Sequence, residues 1–243
     1  QKNFFEKHPP RSENERKIFN ALSKQDLAIA SPLALDKNLV DLESAIKERM
    51  QNLDETRTLA LLLFAAESRE EARELLRDEN RANVYKDLIA MGSIAEKPDI
   101  ALHGIRFYLR DKKIKPFIFE IPPFLRDALY PQIYKAPIEK YAKMRSLDPA
   151  AVFALVRQES HFFPAARSAA NAQGLMQLLP STAKLVAQKE KMRHYALYEV
   201  EDNIRLGTRF MRDLINTYSE DFVGVAISYN AGPGRYVAWR KKL

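Results

Sequence analysis

The segment between Asp148 and Pro164 is the most tightly bounded part of the chain, because residues at both ends restrict what it can form. Asp148 followed by Pro149 is a favourable helix start, since aspartate caps free backbone N–H groups and proline suits the first turn. Pro164 limits how far this helix can extend. Apolar residues at i, i+3 and i+4 form one face, namely Val152, Leu155 and Val156. The segment therefore predicts a helix with one face packed against a hydrophobic core.

Glu159 occupies the i+7 position of this apolar face. A carboxyl group turned toward a core loses hydration, so its charged form is disfavoured and its pKa is expected to rise. A carboxylic acid that keeps its proton near neutral pH is suited to general acid catalysis. The alternative is an ordinary solvated glutamate, with the apolar face ending at Val156.

Composition narrows the possible classes of protein. With 46% hydrophobic residues the chain can bury a core, and no apolar run reaches the roughly 18 residues of a transmembrane helix. The chain has no cysteine, which excludes disulfides, thiol nucleophiles and cysteine-based zinc sites. Residues 136–243 hold 16 Lys or Arg against 10 Asp or Glu. This bias predicts an anionic partner, although a basic surface that merely aids solubility is the alternative.

Helical patterns fill the first part of the chain and predict a mainly α fold. An apolar run at 59–66 indicates a helix centre, and Ser68 with Glu71 forms a capping box that opens the next helix. Further helices are expected at about 82–91 and 100–110. Their short polar connections favour antiparallel neighbours.

Prolines between residues 112 and 123 indicate a boundary, after which a second helical module is expected from near Pro137. Helical spacing predicts that Tyr141, Met144 and Leu147 share a core-facing side. The proline at 180 opens another helix, and residues 230–234 indicate a tight loop.

Short motifs follow one another in this second module. They are QES at 158–160, RS at 167–168, GLMQLLP at 174–180, NIRLG at 203–207 and YNAGPG at 229–234. Each motif alone carries little information, but their order and spacing are specific. Over roughly residues 137–240 the chain resembles the bacterial lytic transglycosylases that have a lysozyme-like catalytic domain.

The resemblance implies a mainly α protein in which a helical superhelix and linker region precede a lysozyme-like, mostly helical catalytic domain. We expect residues 1–110 to form the superhelical region, 111–136 the linker region and 137–243 the transglycosylase domain, truncated at its C-terminus. The first part resembles the soluble, ring-forming, exo-acting members of the family. A closed ring would favour cleavage from the ends of glycan chains.

The resemblance also implies roles for individual residues. Glu159 matches the catalytic glutamate of the family, and Ser168 matches a serine that assists it and contacts the sugar. Gln177 matches a groove residue that hydrogen-bonds substrate. Tyr229 matches a tyrosine beside the catalytic carboxyl group, and Asn230 follows it in the same loop.

Other positions of the motifs shape the expected groove. Leu179 stands where the family often has methionine, and it preserves a hydrophobic wall, while Gly232 and Gly234 shape the last motif. Considered singly, Tyr229 would be a core tyrosine, and Gln177 would be a buried amide that forms its hydrogen bonds within the protein.

A single acid implies a particular reaction. Between Ser160 and Lys189 the chain has no Asp or Glu, whereas ordinary glycosidases use two carboxyl groups. We therefore expect Glu159 to protonate the β-1,4 bond between N-acetylmuramic acid and N-acetylglucosamine, and then to accept a proton from the muramoyl C6 hydroxyl. The product is 1,6-anhydro-N-acetylmuramic acid, and the reaction needs no metal or cofactor.

Other functions remain open at this point. A hydrolytic goose-type muramidase needs a second acid, for which the candidates Asp202, Asp213 and Asp221 are remote in sequence. A non-catalytic peptidoglycan-binding scaffold is a further alternative. A nucleic-acid binder is disfavoured, since no known binding motif or cluster of basic and aromatic residues occurs. The expected partner is the peptidoglycan glycan strand, without nucleic acid or an integral membrane segment, and the substrate implies the periplasm.

Overall fold

The structure, a computed structural model, describes residues 35–65, 68–75, 81–116, 120–218 and 222–240. Within these ranges the regular structure is helical, and extended pairing is limited to the isolated bridges of Gln173 with Arg167 and Leu178. The predicted mainly α fold is therefore confirmed. The chain divides into two compact units, Gln1–Pro131 and Gln132–Leu243.

The described part of the first unit consists of short helices around one hydrophobic core. They are α1 Lys37–Gln51, α2 Glu55–Ala65, α3 Arg69–Leu75, α4 Arg81–Ile94, α5 Pro98–Asp111 and α6 Pro123–Leu129. The helices predicted at 82–91 and 100–110 are thus confirmed as α4 and α5. The predicted helix start after Ser68 is also confirmed, since α3 begins at Arg69.

The apolar run predicted as a helix centre lies in α2, although Ala66 is outside the described residues. Ala60 and Phe64 are fully buried, whereas Leu59 and Leu62 are exposed. Only one side of the run therefore faces the core of this unit.

The predicted linker region, 111–136, contains α6. Leu125 and Leu129 of this helix are buried in the core of the first unit, together with Ile46 and Ile89. Hydrophobic contacts therefore tie α6 to the helices that precede it in the chain.

A buried carboxyl group joins three helices of the first unit. Asp87 on α4 accepts a hydrogen bond from Arg57 Nε of α2 at 2.9 Å and forms an ion pair with Arg49 Nε of α1 at 2.9 Å. Two guanidinium groups compensate the buried negative charge, which would be costly if left alone.

The second unit is also built from helices in its described part. They are α7 Lys135–Met144, α8 Pro149–Ser160, α9 Pro180–Lys189, α10 Val200–Tyr218, α11 Phe222–Ala231 and α12 Pro233–Arg240. Val152 and Val156 of α8 are fully buried in one cluster with Leu175, Met176 and Ile204. The helix predicted to open at the proline at 180 is confirmed as α9.

The predicted boundaries of α8 are confirmed. The Asp148 side chain accepts a hydrogen bond from the Ala150 backbone N–H at 2.8 Å, and Pro149 occupies the first turn. The helix ends at Ser160, because His161 adopts a left-handed backbone with φ of 52°. Pro164 follows this end, so it does not interrupt the helix.

The predicted core-facing side of α7 is correct for two of three residues. Tyr141 and Leu147 are buried, but Met144 is 59% exposed. The prediction for Met144 is wrong because α7 ends at this residue, and the chain then turns away at Arg145. None of the helices in the described ranges combines the length and the apolar character needed to cross a membrane.

Candidate active site

Glu159 lies in the last turn of α8, on the helix whose Val152 and Val156 anchor the core. Its side chain is half-buried, and this burial raises the pKa of the carboxyl group above its ordinary value. The predicted direction of the pKa shift is therefore confirmed. The cause is lost hydration rather than a neighbouring negative charge.

Tyr229 on α11 is the electrostatic neighbour of Glu159. Burial and the negative charge of Glu159 together raise the pKa of the Tyr229 hydroxyl well above its ordinary value. The hydroxyl group donates a hydrogen bond to the backbone oxygen of Met176 at 2.9 Å. The ring packs against Phe210 with 5.2 Å between the ring centroids. The sequence-predicted glutamate and tyrosine are thus brought together by α8 and α11.

The segment after α8 folds back on itself in a compact turn. Ser168 forms two reciprocal contacts with Ala172: its Oγ accepts from the Ala172 N–H at 3.0 Å, and its N–H donates to the Ala172 oxygen at 2.9 Å. Gln173 and Leu178 exchange two backbone hydrogen bonds of 3.0 Å. Ser168 therefore acts locally as a turn-stabilising residue, and its hydroxyl hydrogen remains available to a ligand.

Gln177 lies inside the same turn with a left-handed backbone, φ 48°. Its side-chain nitrogen donates to the backbone oxygens of Ala166 at 3.1 Å and Gly174 at 3.0 Å. These bonds occupy the nitrogen, so the amide oxygen is the end of this side chain through which it can bind a ligand.

Leu179 and Asn230 are exposed side chains of the predicted groove. Leu179 is 41% exposed at the residue before α9, and Asn230 is exposed near the end of α11. The predicted tight loop at 230–234 is wrong, because Asn230 is helical and α12 already begins at Pro233. Gly232 alone joins the two helices, with φ of 87°.

Asn203 is a central residue of this region that the sequence showed only as part of a helix motif. Its side chain is 1% exposed, and its Oδ1 accepts from the Met176 N–H at 2.7 Å. Its Nδ2 donates to the backbone oxygens of Gln173 at 3.0 Å and Leu197 at 2.8 Å. The asparagine therefore holds the turn against α10 through two main-chain contacts, and the third binds Leu197 of the segment that precedes α10. A polar amide on the buried side of an amphipathic helix was the signal that could have identified it.

Gly174 allows this close approach. Its φ is 78°, and a Cβ atom there would lie 2.1 Å from the Leu197 oxygen and 2.2 Å from Asn203 Nδ2. Glycine is required both by the left-handed backbone and by the contact distance.

Two of the three candidate second acids are engaged in other contacts. Asp202 accepts from the Ala196 N–H at 2.9 Å, and Asp213 pairs with Lys189 at 2.7 Å and with Arg209 at 3.0 Å. Asp221 lies outside the described residues. Within the described ranges, no group of three or more His, Asp or Glu side chains is arranged to hold a metal ion.

Comparison with known proteins finds a matching domain family and similar curated proteins. Residues 136–242 match the family described as "Transglycosylase SLT domain". The soluble lytic murein transglycosylase of Salmonella typhimurium is 25% identical over 166 residues, which are 67% of this chain and 26% of that protein. The protein of the same name from Escherichia coli K12 is 29% identical over 114 residues, which are 45% of this chain and 18% of that protein.

A solved structure shares the fold. The inactive mutant of the lytic transglycosylase Slt from Pseudomonas aeruginosa superposes with a TM-score of 0.66 at 23% identity, over 95% of this chain and 38% of that one. The chain thus spans about a quarter or less of the two curated relatives and under half of this solved structure. The match at 136–242 identifies this segment as a transglycosylase SLT domain, and the chain is similar to soluble lytic murein transglycosylases.

Proposed function

We propose that this chain cleaves peptidoglycan as a lytic transglycosylase, with Glu159 acting first as an acid and then as a base. The observation that carries the proposal is a half-buried glutamate of raised pKa beside Tyr229, inside a transglycosylase SLT domain. The names of the Salmonella and Escherichia coli relatives support murein as the substrate.

The first step uses the protonated form of Glu159. Its carboxyl group transfers a proton to the β-1,4 glycosidic oxygen between N-acetylmuramic acid and N-acetylglucosamine, and the C1–O bond breaks. The substrate's own N-acetyl group stabilises the positive charge that develops at C1. Burial of Glu159 favours this step, because a raised pKa increases the protonated fraction of the carboxyl group at a given pH.

The second step uses the ionised form that the first step leaves behind. The Glu159 carboxylate accepts the proton of the muramoyl C6 hydroxyl, and the C6 oxygen bonds to C1. The product is 1,6-anhydro-N-acetylmuramic acid, no water is added, and Glu159 regains its proton. A pKa near the working pH serves both steps, since the group must release and recover one proton in each turnover.

Substrate contacts are proposed for the side chains around the turn. Ser168 and Gln177 offer a hydroxyl hydrogen and an amide oxygen to sugar hydroxyl or acetamido groups. Leu179 supplies an exposed apolar wall, and Asn230 an exposed amide. Tyr229 packs beside the reacting carboxyl group.

The domain division and the location follow from the same proposal. In this proposal residues 137–243 are the catalytic domain, 111–136 the linker region and 1–110 the superhelical region that the sequence predicts. With murein as the substrate, the proposed location is outside the cytoplasm, in the periplasm. The glycan strand is its partner, and its anionic peptide stems suit the basic bias of residues 136–243.

The deciding experiment is mass spectrometry of soluble products released from purified peptidoglycan sacculi. Muropeptides ending in 1,6-anhydro-N-acetylmuramic acid, one water lighter than hydrolysed ones, are expected. Reducing-end products would instead indicate a hydrolase with a second acid. Absence of any product with the wild type, while it still binds sacculi, would indicate a peptidoglycan-binding scaffold.

A further inference from the structure

A chain of hydrogen bonds leads from the buried face of α10 to the neighbour of Glu159. Asn203 Oδ1 accepts from the Met176 N–H at 2.7 Å, and the Met176 oxygen accepts from the Tyr229 hydroxyl at 2.9 Å. The two contacts use opposite sides of one residue's backbone. The position of Asn203 is itself fixed, because its Nδ2 is held by two further backbone oxygens.

The direction of the last bond matters for the chemistry. A phenol has one proton, and in this arrangement Tyr229 gives it to the Met176 oxygen. The phenol oxygen that remains can only accept. Tyr229 therefore does not donate to the Glu159 carboxylate, although its hydroxyl lies within reach of that group's charge. A donated hydrogen bond would favour the ionised form of Glu159 and oppose its use as an acid.

No charged partner is the cause of the pKa shift of Glu159. The pKa of Glu159 is raised by burial of its carboxyl group. The titratable side chains nearest to Glu159 in the sequence are Arg157 on α8 and His161 after it. On α7, which packs against α8, Lys140 and Tyr141 contact Glu201 of α10 at 2.6 Å and 2.8 Å.

We infer that Asn203 is a positioning residue: through the Met176 backbone it holds the Tyr229 hydroxyl proton away from Glu159 and so keeps Glu159 ready to act as an acid. Its catalytic consequence rests on the function proposed above. Loss of Asn203 frees the Met176 carbonyl to turn, and the Tyr229 hydroxyl can then donate to the Glu159 carboxylate. The sensitive quantity is the pH at which activity falls as Glu159 loses its proton.

The test compares wild type with Asn203→Ala, Tyr229→Phe and the double variant. The readouts are the pH profile of anhydro-product formation and the Glu159 carboxyl titration, followed by carbon-13 NMR. Asn203→Ala is expected to move the basic limb and the Glu159 pKa down by about one pH unit. The double variant is expected to lose this shift, because it has no phenol to donate. Thr208→Val serves as the matched control, since Thr208 is a buried polar residue of α10 whose hydroxyl, among the described residues, bonds to backbone oxygens of its own helix.

Tyr229→Phe tests whether the Tyr229 hydroxyl donates to Glu159, and it does so even if Asn203→Ala does not fold. The inference requires that removing the phenol leaves the Glu159 titration within about 0.3 pH unit of wild type. A clear rise in the Glu159 pKa would mean that Tyr229 donates to Glu159 in the wild type, and it would overturn the inference. An Asn203→Ala profile equal to that of Thr208→Val would overturn it as well. Failure of the proposed function would be recognised separately, because the wild type would then yield no anhydro products. The NMR titrations would still show whether Asn203 and Tyr229 affect the pKa of Glu159.

Discussion

Gly207 of α10 lies directly against Met176, so that a Cβ atom at this glycine would be 2.3 Å from the methionine sulfur. The contact brings the helix onto the turn from which Met176 bonds both Asn203 and Tyr229. Met176 therefore takes part both in the packing of α10 and in the hydrogen bonds of the site. Changes at Gly207 should act on stability and on the site together.

Gly207→Ala is expected to lower the free energy of unfolding by about 1–3 kcal/mol, because the added methyl group overpacks the Met176 side chain. Urea unfolding followed by circular dichroism measures this change. Gly234→Ala is the matched control, since a Cβ there meets nothing within 4 Å, and it should be neutral or slightly stabilising. Equal effects of the two variants would contradict the packing argument.

Glu159→Gln is expected to reduce anhydro-product formation by at least about 100-fold, because an amide cannot supply the proton. Folding and sacculus binding should persist, since glutamine keeps the size of the side chain. The assay is product release from sacculi, with a pull-down of the variant by the same sacculi. Activity close to wild type would remove Glu159 from the mechanism.

The stability of wild type relative to Glu159→Gln should depend on pH in a defined direction. Burial raises the pKa of Glu159 in the folded state, so the native protein holds this proton more tightly than the unfolded chain does. The resulting stabilisation is fully present below the unfolded pKa and is lost as pH rises through the folded pKa. Thermal unfolding from pH 4 to 8 should therefore show wild type losing stability relative to the glutamine variant as pH increases. A difference that does not change with pH would contradict the burial of this carboxyl group.

Ser228→Ala is expected to be neutral or to stabilise the protein by up to about 1 kcal/mol. Ser228 is fully buried on α11, and among the described residues its hydroxyl has no hydrogen-bond partner. Thr208→Ala is the contrasting variant, since the Thr208 hydroxyl donates to the Ile204 oxygen at 2.7 Å. Denaturant unfolding should separate the two, and a large loss for Ser228→Ala would reveal a partner of that hydroxyl.

Glu190→Ala is expected to destabilise the second unit by about 3 kcal/mol, because it leaves the nearly buried guanidinium of Arg145 without its carboxylate. The Glu190 carboxylate pairs with Arg145 at 2.5 Å and with Arg205 and Arg209 at 3.4 Å. Lys189→Ala, which removes an exposed cation one residue away, should change stability by less than about 1 kcal/mol. Thermal unfolding of both variants measures the two losses of stability. Similar losses would show that Glu190 does not stabilise the three arginines around it.

The sequence was sufficient where local rules decide the structure. The cap at Asp148, the proline that follows it and the apolar spacing of α8 are contacts within one helix, and they place Glu159 correctly on the half-buried side. Local rules failed for Met144, where the helix ends before the predicted face is complete.

Residues 230–234 show a second limit of local reasoning. Asparagine, glycine and proline are typical of loops, yet a single glycine suffices here to separate two helices. Asn203 shows a third limit, because its partners are backbone atoms of residues 173, 176 and 197. Main-chain N–H and C=O groups are common to nearly all residues, so no sequence pattern predicts which of them a distant side-chain amide will bind.

The way in which Asn203 holds the turn also has a consequence for engineering. Asn203 bonds the main chain of its partners and not their side chains, so its contact with residue 173 does not require a glutamine there. The Gln173 side chain adds a separate hydrogen bond, which its amide nitrogen donates to Asn171 at 3.0 Å. Substitutions at Gln173 should therefore remove this one bond while the three main-chain contacts of Asn203 persist.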